Sequence, residues 1–181
     1  MPANKFYLSF ARHCHYGKDT PIIREDMLKA FLLGKKMKDI LPTCSTVYHS
    51  PLARAECTAV FEALGLGCNH LLSVNVLSED TPKFEIQKFI NILLQNTDSS
   101  IQYYHFVTHL PVVEKLGLPF LGAGDLCLLT ADSLDDMLAE NFQTQVVHLP
   151  ELSSDIYRSL KFTIQQLNTL TSSEIYNLLK E

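Results

Sequence analysis

A three-layer α/β/α sandwich around a mostly parallel central sheet, in a single domain spanning residues 1–181, is the fold class this sequence predicts. Three observations carry that expectation. Short aromatic and β-branched runs alternate along the chain with longer segments whose apolar residues recur every three or four positions. No repeat, low-complexity tract or long linker interrupts the alternation. Hydrophobic residues make up 46% of the chain and charged residues 19%, enough to fill a sizeable core and too apolar for a disordered segment.

The elements follow in order. Lys5–Phe10 (KFYLSF) suits a buried strand and runs into Arg12-His13-Cys14-His15, then a turn region marked by Gly17, Asp19 and Pro21. From Arg24 to Leu41, Met27, Ala30, Phe31, Gly34, Met37 and Leu41 form one apolar helix face, and Pro42 stops it. Ser45–His49 reads as a second strand ending at Ser50-Pro51. Pro51 suits the first turn of a helix lined by Ala53, Cys57, Val60 and Leu64, with Gly65 and Gly67 as its exit. Leu71–Leu77 reads as a third strand. Phe84–Leu94 follows as a helix with Ile86, Phe89, Ile90 and Leu93 on one face. Ile101–Thr108 is the fourth strand and leads into His109-Leu110-Pro111. Leu126–Ala131 and Gln145–Leu149 complete the strands; Ser153–Leu167 and Ser173–Leu179 read as helices, the second opening on a serine cap.

Charge and composition narrow the function. Fifteen Lys+Arg against twenty Asp+Glu give a formal charge of −5, which lacks the bulk positive field of a general nucleic-acid binder. No apolar run reaches the roughly 18–20 residues a membrane span needs. The opening MPANKFYLSFARH is too short and too quickly charged for a signal peptide. Five cysteines (Cys14, Cys44, Cys57, Cys68, Cys127) without a C-x-x-C pair argue against a disulfide framework or a thiolate zinc site, and a cytoplasmic location is expected.

Ligands of open α/β sheets bind beyond the carboxyl ends of the strands. Three predicted strands end in unusual residues there. The first delivers Arg12 and His13, the second leads to Ser50-Pro51 and a helix whose first turn holds Arg54, and the fourth delivers His109. Singly, each is ordinary: an arginine at a helix start is usually solvated, and a histidine after a strand is usually a hydrogen-bonded structural group. Together, two guanidiniums, two imidazoles and a helix N-terminus at one sheet edge make an anion pocket, and phosphate is the obvious guest.

These residues carry a resemblance. Phe10-Ala11-Arg12-His13-Cys14 stands where the histidine phosphatase (phosphoglycerate mutase-like) superfamily has its R-H-G signature. His49-Ser50-Pro51-Leu52-Ala53-Arg54-Ala55-Glu56-Cys57-Thr58-Ala59 resembles its S-P-x-x-R-A-x-x-T-A stretch. Val107-Thr108-His109-Leu110-Pro111 is similar to its second-histidine motif in the H-L-P form of the compact SixA-type phosphohistidine phosphatases. The short spacing from Thr58 to His109, without an inserted cap, resembles that compact group too, and the match covers roughly residues 5–131. The resemblance implies a phosphoglycerate mutase-like fold and a phosphatase that needs no metal or other cofactor. His13 would be the nucleophile that forms a phosphohistidine; Arg12, Arg54 and His109 would bind the phosphoryl oxygens. The implied partner is a phosphorylated substrate, a phosphoprotein or a small phosphate ester, with protein phosphohistidine as the SixA-like case. A phosphomutase of the same superfamily, and a catalytically weakened phosphate-binding module, are the alternatives.

Two positions bear on that choice. Cys14 replaces the family's glycine: at the floor of the pocket its thiol would be the most reactive of the five, whereas against the core it would be a small inert residue. A general acid for an ester leaving group has candidates in Glu79 and Asp80, which read equally well as solvated loop or capping carboxylates. His13-Cys14-His15 lacks a third ligand at recognisable spacing for a metal. His49, His70, His105 and His148 read as structural or surface residues, and Tyr7, Tyr103 and Tyr104 as parts of strands.

Overall fold

The computed structural model describes residues 5–18, 20–160 and 169–180. Strands β1 (Phe6–Arg12), β2 (Thr46–His49), β3 (Leu71–Ser73), β4 (Tyr103–Thr108), β5 (Leu126–Ala131) and β6 (Gln143–Val147) form one sheet in the order β3-β2-β4-β1-β5-β6. The first four run parallel; β5 is antiparallel to β1, and β6 to β5. The described helices are α1 (Arg24–Ile40), α2 (Ala53–Leu66), α3 (Lys83–Gln95), α4 (Leu110–Lys115), α5 (Leu134–Leu138), α6 (Ser154–Ser159) and α7 (Ser172–Lys180). This is the predicted α/β class with a mostly parallel sheet. None of the described helices is long and apolar enough to cross a membrane.

The strand alternation sorts side chains into two layers. Phe6, Leu8 and Phe10 of β1 pack with Tyr104, Phe106 and Leu129, and with Leu94, Val113 and Met137 from α3, α4 and α5. Ala11, Val47, Tyr103 and Val107 face the other way, against Leu33 and Met37 of α1 and Ala55, Ala59 and Ala63 of α2. A third cluster, with Cys14, Ile22, Met27, Phe61, Tyr157 and Ile175, joins α1 and α2 to α6 and α7. Each fully buried Leu- or Phe-sized side chain contributes about 1.5–3 kcal/mol, so the sheet edge is held from both faces.

Gly34 and Gly65 set the distance between α1 and α2. A Cβ on Gly34 would lie 2.2 Å from the Glu62 carbonyl oxygen, and one on Gly65 would lie 2.1 Å from that of Phe31. Gly65 is therefore inside the helix, and Gly67 alone, with φ of 70°, ends it in the left-handed conformation.

Other expectations need correction. Pro51 precedes α2 rather than lying in its first turn: Leu52 is the extended N-cap residue, and its carbonyl accepts from Ala55 and Glu56 N–H. The predicted strand Leu71–Leu77 stops at Ser73, because β2, its partner, ends at His49. The chain then folds into a 3-10 turn over Asn75–Leu77 that buries Leu77. Helices α4 and α5 were not anticipated; six and five residues are too few to show a period. The last strand lies two residues earlier than predicted, since His148 and Leu149 both bond Asp125 instead of continuing the ladder. The cap of α7 is Thr171, not serine: its hydroxyl accepts from Glu174 N–H, while the Glu174 carboxylate accepts from Thr171 N–H. Ser153 caps α6, and residues 161–167 of the predicted helix lie outside the described residues, as does Asp19.

Candidate active site

Strand register builds the site. On β4, Thr108 is paired with Arg12 of β1, and Val107 with His49 of β2. One residue further, His13 N–H donates to the Thr108 carbonyl (2.9 Å) and Ser50 N–H to the Val107 carbonyl (3.0 Å). His13, His109 and Ser50 therefore emerge side by side at the carboxyl edge, where the alternation of the sheet ends. The rings of His13 and His109 meet edge-on with centroids 5.0 Å apart. Arg12, His13, Arg54 and His109, singled out from three strand ends, are brought together.

His13 is 9% exposed and its Nδ1 lies 2.8 Å from the Cys14 carbonyl oxygen, an acceptor that fixes the proton on Nδ1. The opposite nitrogen, Nε2, accepts from Arg54 Nε–H at 3.1 Å. Burial, with added repulsion from Arg54 and Arg12, holds the ring neutral by lowering its pKa to about 4, although the Cys14 carbonyl pulls the other way. His109 is lowered to about 3, by burial first and then by His13 and Arg54. Its Nε2 lies 2.9 Å from Ser50 Oγ. With that hydroxyl donating to Nε2, the neutral ring carries its proton on Nδ1.

Buried polar atoms almost always find partners. Among the described residues, three side-chain atoms are buried without a hydrogen bond, and two of them are here: Arg12 Nε and His109 Nδ1. Arg12 Nη1 donates to the Leu121 carbonyl at 3.0 Å, which orients the guanidinium while leaving Nε unmatched. Two neutral imidazoles, two guanidiniums and unmatched donors are groups whose chemistry suits a compact anion.

Glu79 joins this group and Asp80 does not. The Glu79 carboxylate pairs with Arg54 Nη2, and its Oε1 lies 3.7 Å from His109 Nδ1. Asp80 is exposed. Two further residues that the sequence did not single out join this group: Ser50, which bonds His109, and Thr58. Thr58 Oγ1 accepts from Cys14 N–H at 3.0 Å and donates to the Arg54 carbonyl at 2.8 Å, tying the neighbour of His13 to the first turn of α2. Both stand in the S-P-x-x-R-A-x-x-T-A stretch, which was the available signal. The Leu121 contact is made by a backbone carbonyl and leaves no trace in residue identity.

The thiol of Cys14 is not at the pocket floor. Cys14 is fully buried in the cluster with Ile22, Met27 and Leu28, its Sγ 3.9 Å from the Asp26 carbonyl oxygen. Burial, reinforced by Glu62 and Asp26, pushes the thiol well above its usual range. Among the described residues only Glu140 is a non-glycine with positive φ, so Cys14 occupies the family's glycine position without backbone strain. His15 turns outward, with Nδ1 3.0 Å from Asp26 Oδ2. Among the described residues, no three His, Cys, Asp or Glu side chains are grouped as a metal site.

No family model matches the sequence, and no curated protein matches it significantly. Solved structures do match in shape. The protein histidine phosphatase SixA complexed with tungstate is similar with a TM-score of 0.65 at 16% identity, over 77% of this chain and 94% of that one. A mycobacterial glucosyl-3-phosphoglycerate phosphatase complexed with VO3 gives 0.57 at 13% identity, over 79% and 98%. The phosphoglycerate mutase of Plasmodium falciparum gives 0.53 at 20% identity, over 83% and 95%. With its strand order, its register and the site at its carboxyl edge, the chain has the phosphoglycerate mutase-like fold of the histidine phosphatases, SixA among them.

Proposed function

We propose that this protein is a phosphatase that works through a phosphohistidine on His13, without a metal ion. The observation that carries the reading is the state of His13: Nδ1–H is fixed on the Cys14 carbonyl, so Nε2 presents a lone pair toward Arg54 on a ring that stays neutral. A neutral imidazole is a competent nucleophile at physiological pH.

The substrate's phosphoryl group enters among Arg12, Arg54 and His109. Arg54 then exchanges its hydrogen bond to His13 for the phosphoryl oxygens, and Arg12 Nε and His109 Nδ1 gain acceptors. Nε2 attacks phosphorus in line with the leaving group; the P–O or P–N bond breaks as N–P forms. Cationic side chains neutralise the equatorial oxygens, the task that metal ions perform in other phosphoryl-transfer enzymes. For an alkoxide leaving group, Glu79 supplies the proton. A phosphoryl dianion beside the carboxylate disfavours a second negative charge there, and its claim on Arg54 takes away the carboxylate's ion-pair partner. Water then attacks phosphohistidine, giving its proton to Glu79, and phosphate leaves.

Protein phosphohistidine is the substrate class we favour. The support is the compact connection from Thr58 to His109, which contains only the rest of α2, β3, the 3-10 turn, α3 and β4, together with the likeness to SixA. The core-directed thiol of Cys14 removes the main reason for reading the chain as a weakened binding module. A hydrolysis screen tests the proposal, using a phosphohistidine peptide, small phosphate esters, and phosphotyrosine and phosphoserine peptides, with and without chelator. Turnover led by phosphohistidine and indifferent to chelator is expected. Transfer to a second hydroxyl in place of release would make it a mutase, and phosphate-dependent binding with no turnover would make it a binding module.

A further inference from the structure

Glu79 lies on a loop, and proton transfer tolerates little misplacement: an error of about 1 Å in positioning costs up to roughly a hundredfold in rate. This loop is fastened from both sides of His109. Thr108, the residue before it, donates from Oγ1 to the Leu77 carbonyl at 2.6 Å. Lys115, in the last turn of the helix that His109 caps, donates from Nζ to the Glu79 carbonyl at 2.6 Å and to the Thr81 carbonyl at 3.0 Å. A half-buried ammonium that spends two donors on carbonyls flanking one residue, Asp80, is a clamp. Hydrogen bonds from a charged donor are also the stronger kind.

Resting on the phosphatase reading, we propose that Lys115 is a positioning residue for Glu79. Through α4 it sets the height of the acid loop against His109, and thereby holds the Glu79 carboxyl over the leaving-group side of the pocket. It touches neither substrate nor reacting atoms.

Leaving-group dependence tests this. An alkyl phosphate needs a proton at its departing oxygen, whereas para-nitrophenyl phosphate leaves as a stable phenolate and needs none. In Lys115→Met, kcat/KM for the alkyl ester should fall about 10–100-fold, with less than about a twofold change for the aryl ester. Glu79→Gln should show the same selectivity, and Lys115→Met should add nothing to it in the double variant. Lys115→Arg, which keeps the donors, should recover most of the loss. Thermal unfolding monitors the fold, and if Lys115→Met is poorly folded, Lys115→Gln with its single amide donor is read in the same way. Equal losses on both esters, additive losses in the double variant, or no loss on either overturn the proposal. Wild-type protein that cleaves only the aryl ester also overturns it, while leaving His13 chemistry intact. Wild-type protein that cleaves neither ester but hydrolyses a phosphohistidine peptide overturns it as well, whereas protein that hydrolyses none of the three and takes no label on His13 removes the phosphatase reading itself.

Discussion

Strand β4 presents two buried histidines, His105 within it and His109 just past its end, in opposite surroundings. His105 is saturated: Nδ1 lies 2.5 Å from Ser9 Oγ, Nε2 lies 2.6 Å from Glu62 Oε2, and Ser9 in turn meets the Tyr103 hydroxyl at 2.8 Å. Its acidic neighbour, Glu62, is a carboxyl that burial pushes up while His105 pulls it down. His109 has arginine, a second histidine and, at 3.7 Å, the Glu79 carboxylate for neighbours, a lowered pKa, and a ring nitrogen without a hydrogen bond. Both rings are 1% exposed. Burial is therefore not what separates the two histidines; the guanidinium beside His109 and the completeness of the hydrogen bonding around His105 do.

The largest expected effect falls on the cationic cluster. His13→Ala should lower kcat/KM by more than about a thousandfold, as loss of a nucleophile does, with an unchanged circular dichroism spectrum. The label from a phosphorylated substrate should be acid-labile and base-stable, and absent from the variant. Label on serine or aspartate would assign the chemistry elsewhere.

His105→Ala should show the converse. Removing one member of a buried pair strands Glu62 and Ser9, at about 3–5 kcal/mol. Urea denaturation should show that loss, whereas kcat/KM per folded molecule should stay within about twofold of wild type. A large kinetic defect in well-folded His105→Ala would mean that the two histidines are not functionally separate.

The sequence disclosed these two regions unequally. Arg12, His13, Arg54 and His109 were legible because each ends or directly follows a strand or opens a helix, and parallel strands place such residues at one edge. The Ser9–His105–Glu62 network was not. Its members lie on β1, β4 and α2, and only the sheet register and the packing of α2 on β4 bring them together; a histidine inside an aromatic strand carries no sign of a carboxylate on a distant helix. Fold class and most strands followed from periodicity. The break after Ser73 did not, because it depends on where the neighbouring strand ends.

The next effect is a pH dependence of stability that the cationic cluster should produce. His13 and His109 bind protons more weakly in the folded chain (about 4 and about 3) than a free imidazole at 6.5. As pH falls below 6.5 the unfolded chain takes up these protons first. The stability present above 6.5 is thus lost progressively down to about 4 and 3, at up to about 1.4 kcal/mol per pH unit for each ring. A bound anion favours the protonated rings and opposes the loss. Sulfate, whose charge is constant over this range, should therefore raise Tm more at pH 5 than at pH 7.5. Equal shifts at the two pH values would place the anion away from the histidines.

The smallest effect concerns Cys14, one residue from His13 and yet part of the core. Its peptide N–H is tied to Thr58 and its carbonyl to His13, so the backbone belongs to the site, while the thiol packs among Ile22, Met27 and Leu28. With the thiol held protonated and fully covered, alkylation of the folded protein should leave Cys14 unlabelled whether or not phosphate is present, while half-buried Cys57 reacts first. Cys14→Gly keeps both backbone hydrogen bonds and loses only the packed side chain. It should cost about 1–2 kcal/mol in unfolding free energy and leave kcat/KM within about twofold. Tandem mass spectrometry of the alkylated protein and a denaturant titration of the variant check the two halves. Phosphate-protected labelling of Cys14, or a severalfold faster Cys14→Gly enzyme, would mean that the thiol faces the phosphoryl pocket after all, and that the boundary between core and site runs on the other side of this residue.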